Sequence, residues 1–354
     1  MRYYLLGRSG LRVSELALGT MTFGTEWGWG ADKTTSQALF DAYAEAGGTF
    51  IDTANRYTEG TSERFVGDFI AADRDHFVVA TKYTLWDRQG DPNFSGNHRK
   101  NMVRSVEASL ERLGTDYLDL LWVHAWDFTT PLDELMRGLD DLVRQGKVLY
   151  LGISDTPAWI VSQANMLADL RGWTPFTALQ LRYSLIDRTA ERDLLPMARS
   201  LDLAVTPWSV LGAGVLTGKY NRENPPEAGR AAGGAATVER NLEIAEAVMR
   251  IADEIGAVPS QVALRWAMEQ PGIVLPLLGA RTTDQMEDNL GVLDVELSDA
   301  HLETLDTVSA IDLGFPHNFL QEDSIRDVIY GGTYGQIINH RRHGAQAASS
   351  SPSA

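Results

Sequence analysis

Short apolar runs that alternate with amphipathic stretches are the feature that most constrains the fold of this chain. Eight runs of four to seven residues read as strands that are buried on both faces. They lie at 16–19, 49–52, 77–81, 118–124, 148–154, 177–181, 203–208 and 273–279. Because buried strands separated by helices form parallel βα units, the alternation predicts an α/β protein. Eight units favour a closed (β/α)8 TIM barrel over an open sheet, and 354 residues suffice for one barrel with loop insertions.

Helical periodicity fills the stretches between these runs. The helical patterns occupy 34–48, 101–114, 131–146, 156–170, 189–200, 237–256, 259–270 and 283–292. In the second pattern, the spacing places Val103, Val106, Leu110 and Leu113 on one face, which we expect to be buried. The capping signals agree with the periodicity, since the third pattern opens with a proline and closes with a glycine.

Several segments fall outside the alternating plan. The opening residues read as two short strands around GRSG, and we expect this N-terminal β-hairpin to cap the bottom of the barrel. Residues 84–98 form a long loop after the third strand, and the Gly/Pro/Ala-rich loop at 221–236 is expected to be mobile. The barrel is expected to form one domain over 1–330, followed by a C-terminal tail at 331–354 whose end is disordered.

Charge and cysteine content narrow the range of functions. The net charge of −17 and the pI near 4.8 argue against nucleic acid or an anionic membrane as a partner. The sequence contains no cysteine, which removes disulfides, thiolate nucleophiles and Cys-ligated zinc, and fits a cytoplasmic location. No run approaches the roughly 18 apolar residues of a membrane span, and the first apolar stretch is too short for a signal peptide.

Polar residues stand where successive predicted strands end, and barrel enzymes gather their active-site residues there. They are Asp52, with Tyr57 in the loop after it, then Lys82 and His124. Each alone has an ordinary structural reading, such as a turn residue, a solvated lysine or a packed histidine. Together they form an acid system, because an ammonium stabilises a phenolate, a carboxylate holds the ammonium, and an imidazole donates to an oxygen. Such a set protonates a carbonyl oxygen while a hydride attacks its carbon.

These residues and their surroundings resemble the aldo-keto reductase family. Asp52 and Tyr57 in IDTANRYTEGTSE, Lys82 in ATKY and His124 in LWVHAWD are similar to the four catalytic residues of the family. The resemblance also covers GISD, LQLRYSLIDR, TPWSVLGAGVLTGK and LPLLGARTTDQMEDNL, in the order and spacing of the family. It implies a (β/α)8 fold and hydride transfer between NADP(H) and an aldehyde or ketone. Tyr57 would be the proton donor, assisted by Lys82, Asp52 and His124.

The resemblance also implies a binding site for the nicotinamide cofactor that needs no GxGxxG motif, and the sequence has none there. The segment GAGVLTGK meets neither that motif nor the P-loop pattern. The implied cofactor contacts are Gly19, Thr20, Met21, Asp52, Ser154, Asp155, Gln180, Trp208, Ser209, Leu211, Gly212, Lys219, Gly279, Ala280, Arg281, Gln285, Asp288 and Asn289.

Three positions among these contacts decide how the cofactor would be held. Trp208 stands where the family usually has a tyrosine that stacks on the nicotinamide. Asp155 replaces the usual asparagine beside Ser154 and Gln180, so it can accept from the carboxamide but cannot donate to it. Arg281 is the expected partner of a 2′-phosphate, and we therefore expect NADP(H) to be preferred, with NAD(H) as the alternative.

Aromatic residues in the loops after strands 1, 3 and 4 predict a largely apolar substrate pocket for a small carbonyl or alcohol. The predicted pocket residues are Tyr57, Trp27, Trp29, Trp86, His124 and Trp126. Three other functions stay open at this point. They are an NADP(H)-binding regulatory subunit with little turnover, a Schiff-base aldolase that uses Lys82, and a metal hydrolase. The hydrolase is disfavoured because the strand ends lack clustered histidines, so no metal is expected. The sequence leaves the oligomeric state open.

Overall fold

Eight parallel strands form a nearly closed barrel, which confirms the predicted (β/α)8 fold. The computed structural model describes residues 1–220 and 238–338. An antiparallel hairpin of β1 (Tyr3–Leu5) and β2 (Arg12–Ser14) comes first. The barrel strands are β3 (Ala17–Gly19), β4 (Phe50–Asp52), β5 (Val78–Tyr83), β6 (Leu118–Val123), β7 (Val148–Ser154), β8 (Phe176–Arg182), β9 (Ala204–Trp208) and β10 (Leu277–Leu278). β10 pairs with β3, and Val205 in β9 exchanges backbone hydrogen bonds of 2.7 and 2.8 Å with Ile273 and Leu275, which brings the two edges together.

Helices cover the outside of the barrel. They are α1 (Lys33–Glu45), α2 (Thr61–Ile70), α3 (Arg99–Leu113), α4 (Leu132–Arg144), α5 (Ala158–Arg171), α6 (Leu194–Ser200), α7 (Glu239–Ile255), α8 (Pro259–Met268), α9 (Thr283–Leu290), α10 (Asp299–Val308), α11 (His317–Gln321) and α12 (Asp323–Tyr330). Each helical pattern found in the sequence corresponds to one of these helices, whereas α2, α10, α11 and α12 were not predicted.

The buried face of α3 differs from the predicted one at a single position. Val106, Leu110 and Leu113 are buried as expected, but Val103 is 41% exposed, so the prediction for Val103 is wrong. Met102 takes its place, because a spacing of four residues from Val106 keeps a side chain on the inner face of the helix.

The N-terminal hairpin closes the bottom of the barrel, as predicted. Leu6 and Val13 join the apolar cluster inside the barrel, and the Arg8 N–H donates to Asp202 O (2.8 Å) just before β9. Higher up, the Trp122 ring fills the interior beside Gly152, where a Cβ would lie 2.3 Å from the ring. Apolar side chains therefore fill the bottom and middle of the barrel interior.

The connecting segments agree with the expectations where the structure describes them. Residues 84–98 form a long irregular loop. The loop at 221–236 and the end of the tail, from 339 onwards, lie outside the described residues. Residues 331–338 contain a short 3-10 turn, Tyr334–Gln336, and the division at 330 stays a prediction. In the parts of the chain that the structure describes, no helix is both long and apolar enough to cross a membrane.

Candidate active site

Strand alternation creates a polar layer at the carboxyl end of the barrel. Phe50, Ala80, Ala178 and Ala204 belong to the apolar cluster inside the barrel. Side chains two residues further along a strand point the same way, so the next layer up faces the barrel mouth. That layer consists of Asp52, Lys82, His124, Ser154, Gln180 and Thr206. The fold thus brings together residues that are far apart in the sequence.

A buried ion pair lies at the centre of this layer. The Lys82 ammonium donates to Asp52 Oδ2, to Thr53 O (2.9 Å) and to the Tyr57 hydroxyl (3.1 Å). Asp52 Oδ1 accepts from Gln180 Nε2 at 3.0 Å, which the sequence did not predict. Both charged side chains are almost completely buried, so each depends on the other to offset its loss of hydration.

Tyr57 is held in place by an unusual backbone just after it. Tyr57 begins the 3-10 turn Tyr57–Gly60, in which Thr58 and Glu59 have φ angles of 45° and 55°. This left-handed backbone is unfavourable for residues other than glycine, by about 1–3 kcal/mol each. The Thr58 hydroxyl stabilises it by donating to Phe23 O at 2.5 Å. The Tyr57 side chain is half-buried, so its hydroxyl reaches both Lys82 and the barrel mouth.

The titration of the three groups is governed by burial and by their mutual charges. Burial raises the pKa of Tyr57, and the Lys82 ammonium lowers it by less, so the net pKa is raised. The expected effect of Lys82 is therefore present, although burial outweighs it. For Lys82, burial lowers the pKa, but Asp52 and Tyr57 raise it more, so Lys82 stays an ammonium.

His124 lies directly after β6, with its ring 6.0 Å from the Tyr57 ring and nearly perpendicular to it. Burial, followed by the charge of Lys82, holds the pKa of His124 well below its usual range. The imidazole is therefore neutral at pH 7 and donates one N–H. Among the described residues, its Nδ1 has no hydrogen-bond partner.

The residues expected at the nicotinamide end of the cofactor lie beside this centre. Ser154 and Gln180 are neighbours in the register of β7 and β8, and both are buried. Because the Gln180 amide N–H group donates to Asp52, its oxygen is the atom left for a carboxamide. Trp208 ends β9, and its Nε1 donates to Asp155 Oδ1 at 3.1 Å.

The loop after β9 contains several residues with a left-handed backbone. Ser209, Gly212, Ala213 and Gly214 all have positive φ angles, between 54° and 95°. Two of its backbone N–H groups are used within the turn, since the Gly212 N–H donates to Ser209 O (2.8 Å) and the Gly214 N–H donates to Leu211 O (2.9 Å). A Cβ at Gly214 would lie 2.6 Å from Lys219 Cε, so the missing side chain lets Lys219 lie over the loop. Leu211 lies in the same turn and is half-buried.

The residues after β10 form a second exposed turn at the barrel rim. The Arg281 side chain is exposed, and its backbone N–H donates to Gln285 Oε1 at 3.0 Å. Asn289 Nδ2 donates to Gly279 O at 3.4 Å, and Ala280 O accepts from Thr22. Asp288 is exposed on the same helix, α9.

The same rim includes the end of β3, with Gly19, Thr20 and Met21. A Cβ on Gly19 would lie 3.1 Å from Leu278 O, so the glycine permits close approach of β3 and β10. The Thr20 hydroxyl donates to Asp52 O at 3.0 Å and also contacts Ser62. Thr20 is therefore engaged in supporting the end of β4.

Aromatic side chains form one wall beside Tyr57. Trp27 lies edge-on to Tyr57 at 6.4 Å and packs against Trp29 at 5.6 Å. The Arg56 guanidinium lies 3.9 Å from the Trp86 ring and 5.5 Å from the Trp27 ring. Arg56 was not predicted, although its position directly before Tyr57 was the available signal.

Trp126, the remaining predicted pocket residue, is half-buried and pairs with Phe128 at 6.4 Å. Within residues 1–220 and 238–338, no group of three or more His, Asp or Glu side chains is arranged to hold a metal ion.

Known proteins are similar to this chain over most of its length. The sequence model of the aldo/keto reductase family matches residues 15–310. Norsolorinic acid reductase of Aspergillus flavus is 40% identical over 328 residues, which cover 90% of this chain and 83% of that protein. Aryl-alcohol dehydrogenase [NADP(+)] of Phanerodontia chrysosporium is 38% identical over 344 residues, covering 91% and 89%. The chain therefore belongs to the aldo/keto reductase family.

Proposed function

We propose that the protein is an NADPH-dependent reductase of aldehydes or ketones, and that aryl carbonyl compounds are its preferred substrates. One observation carries the proposal. Lys82 Nζ contacts the Asp52 carboxylate and the Tyr57 hydroxyl at the same time, at the open end of the barrel. A relative named for an aryl alcohol supports the aryl preference, as does the Trp27–Trp29 pair beside Tyr57, and a relative named as a reductase supports the direction of the reaction.

The proposed mechanism assigns proton transfer to this chain and hydride supply to the cofactor. Bound NADPH supplies the hydride that reaches the carbonyl carbon. Tyr57 donates its hydroxyl proton to the carbonyl oxygen as negative charge develops there. Lys82 stabilises the resulting phenolate, and Asp52 keeps Lys82 charged and in position. The neutral His124 donates a hydrogen bond to the same oxygen.

The cofactor fits the residues of the rim. Lys219, which lies against the turn at 209–214, would receive the pyrophosphate, since an ammonium binds phosphate oxygens. Arg281 would bind the 2′-phosphate, because its side chain is exposed beside the turn that Gln285 holds. Trp208 would stack on the nicotinamide, with Ser154, Asp155 and Gln180 around its carboxamide. We infer a preference for NADPH over NADH from Arg281.

The geometry disfavours the aldolase alternative. A Schiff base requires a neutral lysine amine, but the Lys82 pKa is raised by Asp52 and Tyr57, and its three donors are all engaged. The regulatory-subunit alternative differs from an enzyme only in turnover, so kinetics must separate the two.

The test is NADPH consumption with purified protein across aryl aldehydes, aryl ketones, aliphatic aldehydes and sugars. We expect turnover with the first two classes and the highest kcat/KM with an aryl aldehyde. NADPH binding without turnover on any class would favour the regulatory subunit. Turnover confined to sugars would contradict the aryl preference and leave the reductase assignment intact.

A further inference from the structure

Asp155 is a carboxylate in an unusual position at the barrel mouth. It follows β7 directly and adopts a left-handed backbone, with φ of 41°. Its Oδ1 accepts from Trp208 Nε1 at 3.1 Å, so the carboxylate lies at the edge of the indole ring. A neutral asparagine would supply the same acceptor, which means that hydrogen bonding alone does not require a charge here.

The charges around Asp155 leave its own charge without a dedicated partner. Lys82 is neutralised by Asp52, and Arg182 pairs with Asp187 at 2.6 Å. Within residues 1–220 and 238–338, the only side-chain hydrogen bond to Asp155 comes from the neutral Trp208 indole. A carboxylate of this kind favours any cation that comes to lie beside it.

The charge of Asp155 reaches the proposed reaction centre. Burial raises the pKa of Asp155, and the Trp208 indole and the charges of Lys82 and Arg182 lower it by less, so the net pKa is raised. The Asp155 carboxylate in turn raises the pKa of Tyr57, as the smallest of the contributions to that shift. Asp155 is therefore electrostatically coupled to Tyr57 and Lys82. The oxidised nicotinamide ring carries one more positive charge than the reduced ring, so the two redox states of the cofactor differ in how they interact with a nearby carboxylate.

We propose that Asp155 selects between the redox states of the cofactor, binding NADP+ more tightly than an asparagine in its place would while leaving NADPH affinity nearly unchanged. This inference rests on the proposed function, because it requires the nicotinamide to lie against Trp208. Asp155 thus has two roles. Its hydrogen bond positions the Trp208 ring, and its negative charge favours the oxidised cofactor.

The test is the substitution Asp155→Asn, which removes the charge and keeps an oxygen that accepts from Trp208 Nε1. The dissociation constants of NADP+ and NADPH are measured by calorimetric titration of the wild type and the variant. In Asp155→Asn, we expect NADP+ to bind roughly 3- to 30-fold more weakly, as a unit charge at close range in a partly hydrated site would give. NADPH should change by less than about twofold.

The matched control is Trp208→Phe, which removes the indole donor and keeps an aromatic ring and the charge of Asp155. We expect this variant to weaken NADP+ and NADPH by similar factors. In Asp155→Asn, an equal change for both cofactors, or no change in either, would overturn the redox-state role while the wild type still turns over NADPH. If the wild type binds neither cofactor, the proposed function fails together with this inference.

Discussion

At the scale of single residues, the acidity of the Tyr57 phenol is set by two opposed effects. Burial raises its pKa, and the ammonium of Lys82 lowers it. The phenol is therefore protonated over the whole physiological range, as a proton donor must be before the reaction. Its loss of a proton during the reaction depends on the charge that Lys82 places 3.1 Å from the oxygen.

Replacement of Tyr57 by phenylalanine tests the assignment of the proton donor. Tyr57→Phe keeps the ring against Trp27 and removes the hydroxyl. We expect kcat to fall by about 10²- to 10⁴-fold, the usual contribution of general acid catalysis, with NADPH affinity little changed. Steady-state kinetics and a cofactor titration measure the two quantities. Activity within a few-fold of the wild type would show that His124 or water donates the proton.

The pH dependence of the reaction tests whether Lys82 lowers the pKa of Tyr57. Activity should fall on the alkaline side when Tyr57 loses its proton. Lys82→Met removes the group that lowers the Tyr57 pKa. In this variant, the alkaline fall in activity should move to higher pH or leave the measurable range, and kcat should be lower. If the variant lost activity at the same alkaline pH as the wild type and had a normal kcat, the role of Lys82 would be contradicted.

A folding control is needed for that variant because Lys82→Met leaves the buried Asp52 without its ammonium. The double variant Lys82→Met/Asp52→Asn removes both charges together. We expect it to be better folded than Lys82→Met and to show a smaller alkaline shift, because the Asp52 charge that raises the Tyr57 pKa is also removed. Circular dichroism and thermal unfolding establish which of the two proteins supports the kinetic comparison.

The predictability of the site follows from what each residue depends on. Asp52, Lys82 and His124 were predictable because each lies at or just after the carboxyl end of a buried strand, and parallel strands bring these ends to one rim. The Gln180–Asp52 bond and the Trp208–Asp155 bond were not predictable, since each depends on the rotamers of side chains on different strands. The net rise in the Tyr57 pKa was not predictable either, because it is caused mainly by burial, which depends on the folded structure around the side chain.

At the scale of elements, α2 shows how tertiary packing can hide a helix in the sequence. Gly67 lies within α2 and weakens the helical signal, since glycine is unfavourable in helix interiors. A Cβ there would lie 2.6 Å from Leu113 O, so the glycine allows α2 and α3 to pack closely. The packing that requires the glycine is therefore the reason that local propensity misses the helix.

The loops after β3, β4 and β5 meet through Arg56, which we expect to hold the wall of the substrate pocket. Its guanidinium lies near both Trp86 and Trp27, and it pairs with Glu59 at 2.6 Å. Arg56→Met should raise KM for a bulky aryl aldehyde roughly 2- to 30-fold, as loss of cation–π contacts predicts. The kcat for a small aliphatic aldehyde should stay within about twofold.

Arg56→Lys is the matched variant, since it keeps the charge beside Glu59 and loses the planar group that stacks. We expect its KM for the aryl aldehyde to lie close to that of Arg56→Met. A lysine variant with wild-type KM would show that charge, and not stacking, maintains the wall. Equal losses on the bulky and the small aldehyde would show that Arg56 supports Tyr57 rather than the pocket.

Arg281, in the turn after β10, is expected to determine the preference for NADPH over NADH. Arg281→Ala should weaken NADPH by about 10- to 150-fold, the effect of losing a charge-assisted bidentate contact, and leave NADH almost unchanged. Fluorescence titration of both cofactors against both proteins measures the effect. Equal losses for the two cofactors would place Arg281 at a part of the cofactor that they share.

At the scale of the whole molecule, the periodicity of the chain predicted the barrel because a closed parallel sheet requires each strand to be buried on both faces. The hairpin was predictable from its turn residues, and its packing under β9 agrees. Helices α11 and α12 were not predicted, and apolar side chains such as Phe319 and Val328 remain exposed in them. The cytoplasmic location stays a prediction.

The central claim is that the molecule moves a hydride from NADPH to an aryl carbonyl carbon, and isotope transfer tests it most directly. Wild-type protein is incubated with an aryl aldehyde and with NADPH that carries deuterium at the transferred position of C4, and the alcohol is analysed by mass spectrometry. We predict one deuterium on the former carbonyl carbon for each NADPH consumed. An alcohol without deuterium, or consumption of NADPH without formation of the alcohol, would contradict the account.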